Sequence, residues 1–179
     1  VHIHIDAALC VWILPFLERA PICDFGLPIC SMSLAGHKFR VGMPCGVFLA
    51  RQECLVGDPV SYIGSRDTTF LGSRNGFAVL ALLWAIDEIG GLAGMAHQAR
   101  QCIAMADYLV GRLEEMAFPY LRASRFSTIL VFERPSQWLC DKWGLAVDGG
   151  RAHVVVMPHW TEDTVREFVS DLQGVEQAS

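Results

Sequence analysis

The sequence has no apolar run long enough to cross a membrane, no block of basic residues and no Cys-x-x-Cys pair. Its longest uninterrupted apolar stretch, Phe77 to Ile86, stops at Asp87 and Glu88. A spanning helix needs about 20 such residues, so no membrane partner is expected. The 14 Lys and Arg are scattered among 19 Asp and Glu, for a net charge of −5. Without a basic stripe, nothing points to nucleic acid. The seven cysteines are odd in number and lack metal-like spacing. They read as reduced thiols, which predicts a cytoplasmic protein. The N-terminus has no initiator methionine and no basic lead-in of a signal peptide. It opens directly on Val1-His-Ile-His-Ile-Asp6, a strand pattern, as expected of a piece of a longer polypeptide.

What the sequence does have is apolar bulk. It is 53% hydrophobic and 18% charged over 179 residues. That is enough for a substantial core, and rich enough to bury surface against a partner as well. Residues 1–5 alternate as a strand does. Residues 7–17 are apolar and helix-compatible, though Pro15 interrupts them. Residues 21–28 form a loop, 29–34 a short buried strand, and 46–50 another strand closing at Arg51. Residues 56–76 are rich in turn formers and lack a period, which predicts a long functional loop. Residues 77–89 read as a buried helix, broken by Gly90-Gly91. A long amphipathic helix follows over 92–116. The tail reads strand 127–132, helix 136–143, strand 152–157 and helix 161–172, with Thr161 as N-cap and acids in the first turn.

Two residues at strand ends carry chemistry. Lys38 closes an apolar strand as Gly36-His37-Lys38. It reads either as a solvated strand end or as a desolvated lysine, whose lowered pKa would make it a nucleophile for Schiff-base chemistry. His2, His4 and Asp6 alternate, so a strand points all three to one face. That pattern admits a metal cluster, a strand with a core on its other face, or an acid at the C-terminal end of a parallel strand, where open α/β sheets hold ligands. The small residues after Asp6 favour close approach of something flat. Pyridoxal phosphate requires one lysine for its aldehyde and one acid for its ring nitrogen, and Asp6 and Lys38 would meet that requirement.

Six ordered blocks then carry a resemblance: His4-Ile-Asp-Ala-Ala-Leu9, Ser33-Leu-Ala-Gly-His-Lys38, Met43-Pro-Cys-Gly46, Tyr62-Ile-Gly-Ser-Arg-Asp-Thr-Thr-Phe-Leu-Gly-Ser-Arg-Asn-Gly76, Phe132-Glu-Arg-Pro135 and Ala152-His-Val-Val-Val-Met-Pro158. Together they resemble the group II pyridoxal-phosphate amino-acid decarboxylases, in the branch holding bacterial histidine decarboxylase and plant serine decarboxylase. The resemblance implies an α/β fold, the C-terminal part of a fold-type I (aspartate aminotransferase-like) enzyme. It implies a partial large domain over 1–91, and a linking helix with an α+β small domain over 92–179. It implies that Lys38 bonds the cofactor aldehyde, Asp6 pairs with the ring nitrogen, Ala8 lies against the ring, and His37 lies near the phosphate. Ser73 would reach the phosphate of a neighbouring subunit, and Tyr62 would return a proton to the substrate carbon. An amino-acid substrate and a homodimer with a shared active site follow from the same resemblance.

The chain also departs from the family pattern. The half that carries a Gly/Ser-rich phosphate loop and a ring-stacking histidine in relatives is absent. Ala35 stands where relatives have serine, the turn after Lys38 is one residue shorter, and Phe77 replaces a histidine. Three other readings stand beside simple decarboxylation. They are the same cofactor with an oxidative or aldehyde-forming outcome, a degenerate subunit or fragment that pairs with a full-length partner, and a metal hydrolase built on His2, His4 and Asp6.

Overall fold

The computed structural model describes residues 1–39, 41, 44–62, 64–66 and 74–176. The chain divides into two compact units, Val1–Met95 and Ala96–Ser179.

The first unit is built on a three-stranded sheet of β1 (His4–Asp6), β2 (Ser31–Ala35) and β3 (Gly46–Ala50), in the order β1-β2-β3. β1 and β2 are parallel, with His4 opposite Ser31, Ile5 opposite Met32 and Asp6 opposite Ser33. β3 runs antiparallel on the other side of β2, from Ser31–Ala50 to Ala35–Gly46. Side chains alternate across a strand, so the sheet has two unlike faces. The back face is apolar: Ala7, Cys23, Ile29 and Met32 are buried there, with Ile5, Val11, Leu14, Phe25 and Leu27 packed against them. The front face carries His4, Asp6, Ser31 and Ser33.

The segment expected to be helical over 7–17 is instead two 3-10 turns, Cys10–Trp12 and Leu14–Phe16. Pro15 cannot donate to an α-helical ladder, so the apolar residues wrap beneath the sheet in short turns. The following loop is held by Arg51, whose guanidinium donates to the carbonyls of Ile29 (2.7 Å), Phe25 (2.5 Å) and Leu27 (3.1 Å). Within the stretch expected to be irregular, Pro59–Val60 (β4) and Ser65–Arg66 (β5) pair as a small antiparallel hairpin.

Helix α1 (Gly76–Glu88) starts where the sequence predicts, with the Asn75 side chain accepting from the Phe77 N–H. Its burial differs from expectation. Phe77, Val79, Leu80, Leu83 and Trp84 are between 59% and 69% exposed. The sequence is apolar on all sides, and in this chain only one side of the helix finds a cover. Gly90 and Gly91, at φ of +89° and +62°, end it in the left-handed conformation that side chains resist. Helix α2 (Gly91–Glu115) follows. Among the described residues no single helix is long and apolar enough to cross a membrane.

The second unit is an antiparallel sheet of β6 (Ile129–Glu133), β8 (Arg151–Val155) and β7 (Ala146–Asp148), in the order β6-β8-β7. Its core takes Ala106, Leu109 and Leu113 from α2, and Leu130 and Phe132 from β6. It takes Leu139 and Cys140 from α3 (Gln137–Trp143), and Val165, Phe168, Val169 and Leu172 from α4 (Glu162–Glu176). These positions recur at 3 and 4 on the helices and at 2 on the strand, the periods expected of a shared core. Thr161 caps α4 as the sequence predicts, its hydroxyl accepting from the Thr164 N–H at 3.2 Å. β7 went unforeseen because three residues are too short to display alternation.

Candidate active site

Asp6 ends β1, and Lys38 lies one turn beyond the end of the neighbouring parallel strand β2. Both therefore stand at the C-terminal edge of a parallel pair, the position that α/β sheets use for ligands. Hydrogen bonds continue past the strand ends. Ala7 N–H donates to the Ser33 carbonyl at 2.8 Å and Ala35 N–H to the Ala8 carbonyl at 3.2 Å. The indole N–H of buried Trp12 takes the Ala35 carbonyl at 2.9 Å, which closes that strand end.

The Asp6 carboxylate is oriented from two sides. Its Oδ1 accepts from Ala8 N–H at 3.1 Å and from the Ser33 hydroxyl at 3.4 Å. Ala8 is half-buried, and its methyl group adds little bulk beside the acid. The imidazoles that one of the three readings offers as metal ligands are engaged by serines. His4 Nδ1 lies 2.8 Å from Ser31 Oγ and its Nε2 3.2 Å from Ser33 Oγ, while His2 Nε2 lies 3.2 Å from Ser31 Oγ. His4 also stacks on Phe48, with centroids 6.0 Å apart and planes at 19°. Among the described residues no three His, Cys, Asp or Glu side chains could hold a metal ion together.

Gly36, His37 and Lys38 form a 3-10 turn. The Cys45 carbonyl, at the entrance to β3, holds that turn by accepting from Gly36 N–H at 3.0 Å and from His37 Nδ1 at 2.9 Å. The same Nδ1 lies 3.4 Å from the Cys45 N–H. The shorter contact makes Nδ1 the donor and leaves Nε2 for a ligand. Gly36 is buried, and a Cβ there would meet Cys45 Sγ at 2.5 Å. Lys38 itself is exposed and, among the described residues, makes no hydrogen bond or ion pair. Tyr62, in the turn after β4, is 86% exposed, and among the described residues no hydrogen bond ties it to Asp6 or Lys38. Ser73 lies outside the described residues.

Sequence reasoning missed Ser33, Phe48 and the Cys45 carbonyl. Ser33 is brought opposite Asp6 by the strand register, which no local pattern in the sequence gives. A backbone carbonyl leaves no trace in sequence.

No protein-family model matches the chain. It is 40% identical over 176 residues to serine decarboxylase 1 of Oryza sativa subsp. japonica, covering 96% of this chain and 36% of that protein. It is 40% identical over 179 residues to a histidine decarboxylase of Solanum lycopersicum, covering 96% and 42%. In structure it is similar to the L-methionine decarboxylase of Streptomyces sp. 590, with a TM-score of 0.81, 28% identity, and coverage of 97% of this chain and 42% of that one. The glutamate decarboxylase of Lactobacillus brevis CGMCC 1306 shares the fold, with a TM-score of 0.75 at 20% identity, covering 99% and 47%. The chain thus spans under half the length of the relatives it matches. Its agreement in sequence and fold runs over nearly all of its residues, and the chain corresponds to the C-terminal portion of group II pyridoxal-phosphate amino-acid decarboxylases.

Proposed function

We propose that this chain forms the C-terminal part of a pyridoxal-phosphate-dependent decarboxylase, which converts an L-amino acid of the histidine or serine kind to its amine and carbon dioxide. One observation carries the reading: a carboxylate and a primary amine, Asp6 and Lys38, stand at the same edge of two adjacent parallel strands. The residues suit the cofactor. Asp6 Oδ1 is held in place, and Oδ2 makes no hydrogen bond among the described residues, so it can receive a ring N–H. Lys38 keeps a free Nζ for an aldehyde, and small Ala8 admits a flat ring.

When bound, the cofactor supplies the electron sink that lets the α-carboxylate leave as carbon dioxide. The chain's own residues do the rest. Asp6 would hold the ring nitrogen's proton, Lys38 would hold the aldehyde carbon and give way to the substrate amine, and His37, its Nδ1–H given to the Cys45 carbonyl, would reach the phosphate by donating an Nε2–H. We assign Ser73 to the phosphate of a neighbouring subunit and Tyr62 to protonation of the substrate carbon. We also assign 1–91 to a large cofactor-binding domain and 92–179 to a small domain, within a homodimer whose sites are shared. The seven free thiols support a cytoplasmic setting. The exposed apolar face of α1 favours a second reading, in which the chain acts only against another polypeptide that covers it.

The test uses the intact protein with pyridoxal phosphate. An absorption band near ~420 nm is expected, lost on borohydride treatment, with the trapped adduct on the Lys38 peptide by mass spectrometry. Carbon dioxide release is then followed over a panel of amino acids that includes histidine and serine. Survival of the band in Lys38→Ala refutes the assignment. A band without carbon dioxide from any amino acid refutes the decarboxylase.

A further inference from the structure

We infer that Ser33 and His4 are positioning residues for Asp6: with Ser31 and His2 they form a one-way file of hydrogen bonds that ends on its carboxylate. The inference rests on the cofactor role proposed above for Asp6. Its direction follows from two premises, that Asp6 is ionised and can only accept, and that the His4 imidazole is neutral, with one N–H and one lone pair. Ser33 must then donate its single proton to Asp6 Oδ1, 3.4 Å away. Towards His4 Nε2, at 3.2 Å, the Ser33 oxygen can only accept, so His4 carries its proton on Nε2. The lone pair of His4 is therefore on Nδ1, and Ser31 must donate to it across 2.8 Å. That leaves the Ser31 oxygen to accept from His2 Nε2 at 3.2 Å. Every donor in the file points towards Asp6.

The register explains how the file is built. His4 faces Ser31 and Asp6 faces Ser33 across parallel strands, so imidazole, hydroxyl and carboxylate alternate along the front of the sheet. Two features keep His4 in place. Ser31 is only 2% exposed and gives it a fixed partner, and Phe48 stacks on its ring. The Ser33–Asp6 contact is longer than an ordinary O–H···O bond. Its use therefore depends on His4 holding the Ser33 rotor, since chained hydrogen bonds polarise and orient one another. None of these four side chains needs to touch the cofactor. Their effect is to fix which oxygen of Asp6 remains for the ring.

Two measurements test this. In cofactor-free, 15N-labelled protein, two-bond imidazole spectra should show His4 as the Nε2–H tautomer, and Ser33→Ala should abolish that preference. A His4 Nδ1–H tautomer, or one indifferent to Ser33→Ala, overturns the file. In the intact protein, Ser33→Ala and His4→Phe should each weaken pyridoxal phosphate binding about tenfold, the 1.4 kcal/mol of one hydrogen bond. Ser33→Thr, which keeps the hydroxyl, should restore it. Unchanged affinity in Ser33→Ala, or no rescue by Thr, overturns the positioning role. If the wild-type protein does not bind pyridoxal phosphate, the functional reading fails, and the tautomer still decides whether the file exists.

Discussion

Replacing Gly36 with alanine asks what holds the turn that presents His37 and Lys38. The φ of Gly36 is not in the left-handed region, so backbone freedom is not the reason for glycine there. Space is. An alanine Cβ would lie 2.5 Å from Cys45 Sγ, 3.1 Å from Leu82 Cδ1 and 3.7 Å from Val41 Cγ2. The first distance is far inside van der Waals contact, whereas the Leu82 methyl can yield by a few tenths of an ångström. Overpacking of this kind costs about 1–3 kcal/mol. The strain falls on Cys45, whose carbonyl accepts from both Gly36 N–H and His37 Nδ1. Amide exchange in β2 and β3 is the suitable assay, because it reports local opening in one unit of a two-unit chain. Gly36→Ala should speed exchange there about 5- to 150-fold. Adding Cys45→Ala removes Sγ and should recover most of the loss, a coupling that only neighbours show. Wild-type exchange in Gly36→Ala, or no recovery in the double variant, would falsify the close-approach account.

Two further predictions concern ionisation. Asp171 lies 2.7 Å from Lys142 Nζ and accepts from the Trp143 indole N–H at 2.7 Å. Partial burial alone would raise its pKa, but the ammonium and the indole N–H outweigh that and hold it below the ordinary carboxylate value. Because the unfolded state binds the proton more readily, the stabilisation is present above the unfolded pKa of about 4 and lost as pH falls through the lower folded value. Thermal melts should show wild type and Asp171→Asn furthest apart above about pH 5 and converging in acid; a gap independent of pH would refute the assignment. Thiol reactivity should also divide. The Cys54 hydrogen bond lowers the Cys30 pKa, while burial pushes Cys102 up to about 12. Cys30 should thus be alkylated at least tenfold faster than Cys102 at neutral pH, measured by peptide mass spectrometry, and equal rates would contradict both shifts.

Local chemistry was legible wherever a short pattern determined it. The strand over 46–50 and the helix begun by Thr161 follow from a short apolar run closed by Arg51 and from a cap, and both form as read. The 7–17 segment misled because its apolar content suits a helix, while Pro15 and the need to line the sheet's back face impose tighter turns. The burial of α1 misled for a different reason. An apolar stretch specifies that cover is wanted, and not where the cover comes from. In the site, Asp6 and Lys38 were legible as residue types suited to one cofactor. Their placement at the ends of adjacent strands was not, since β1 and β2 pair across a long connection that no local rule encodes.

The exposure of Lys38 bears directly on the role proposed for it. A lysine becomes a nucleophile near neutral pH when its ammonium is desolvated or crowded by other charge. Here Lys38, His37 and Asp6 are all exposed, yet the turn and the carboxylate are already fixed, by the Cys45 carbonyl and by Ser33 with Ala8 N–H. Orientation is therefore built into this chain through backbone hydrogen bonds and strand register. In the role proposed for Lys38, desolvation would come from a second surface laid over the front of the sheet; the apolar face of α1 is exposed as well. On that proposal the site is oriented before it is covered, and the exposure of Lys38 is compatible with the role proposed for it.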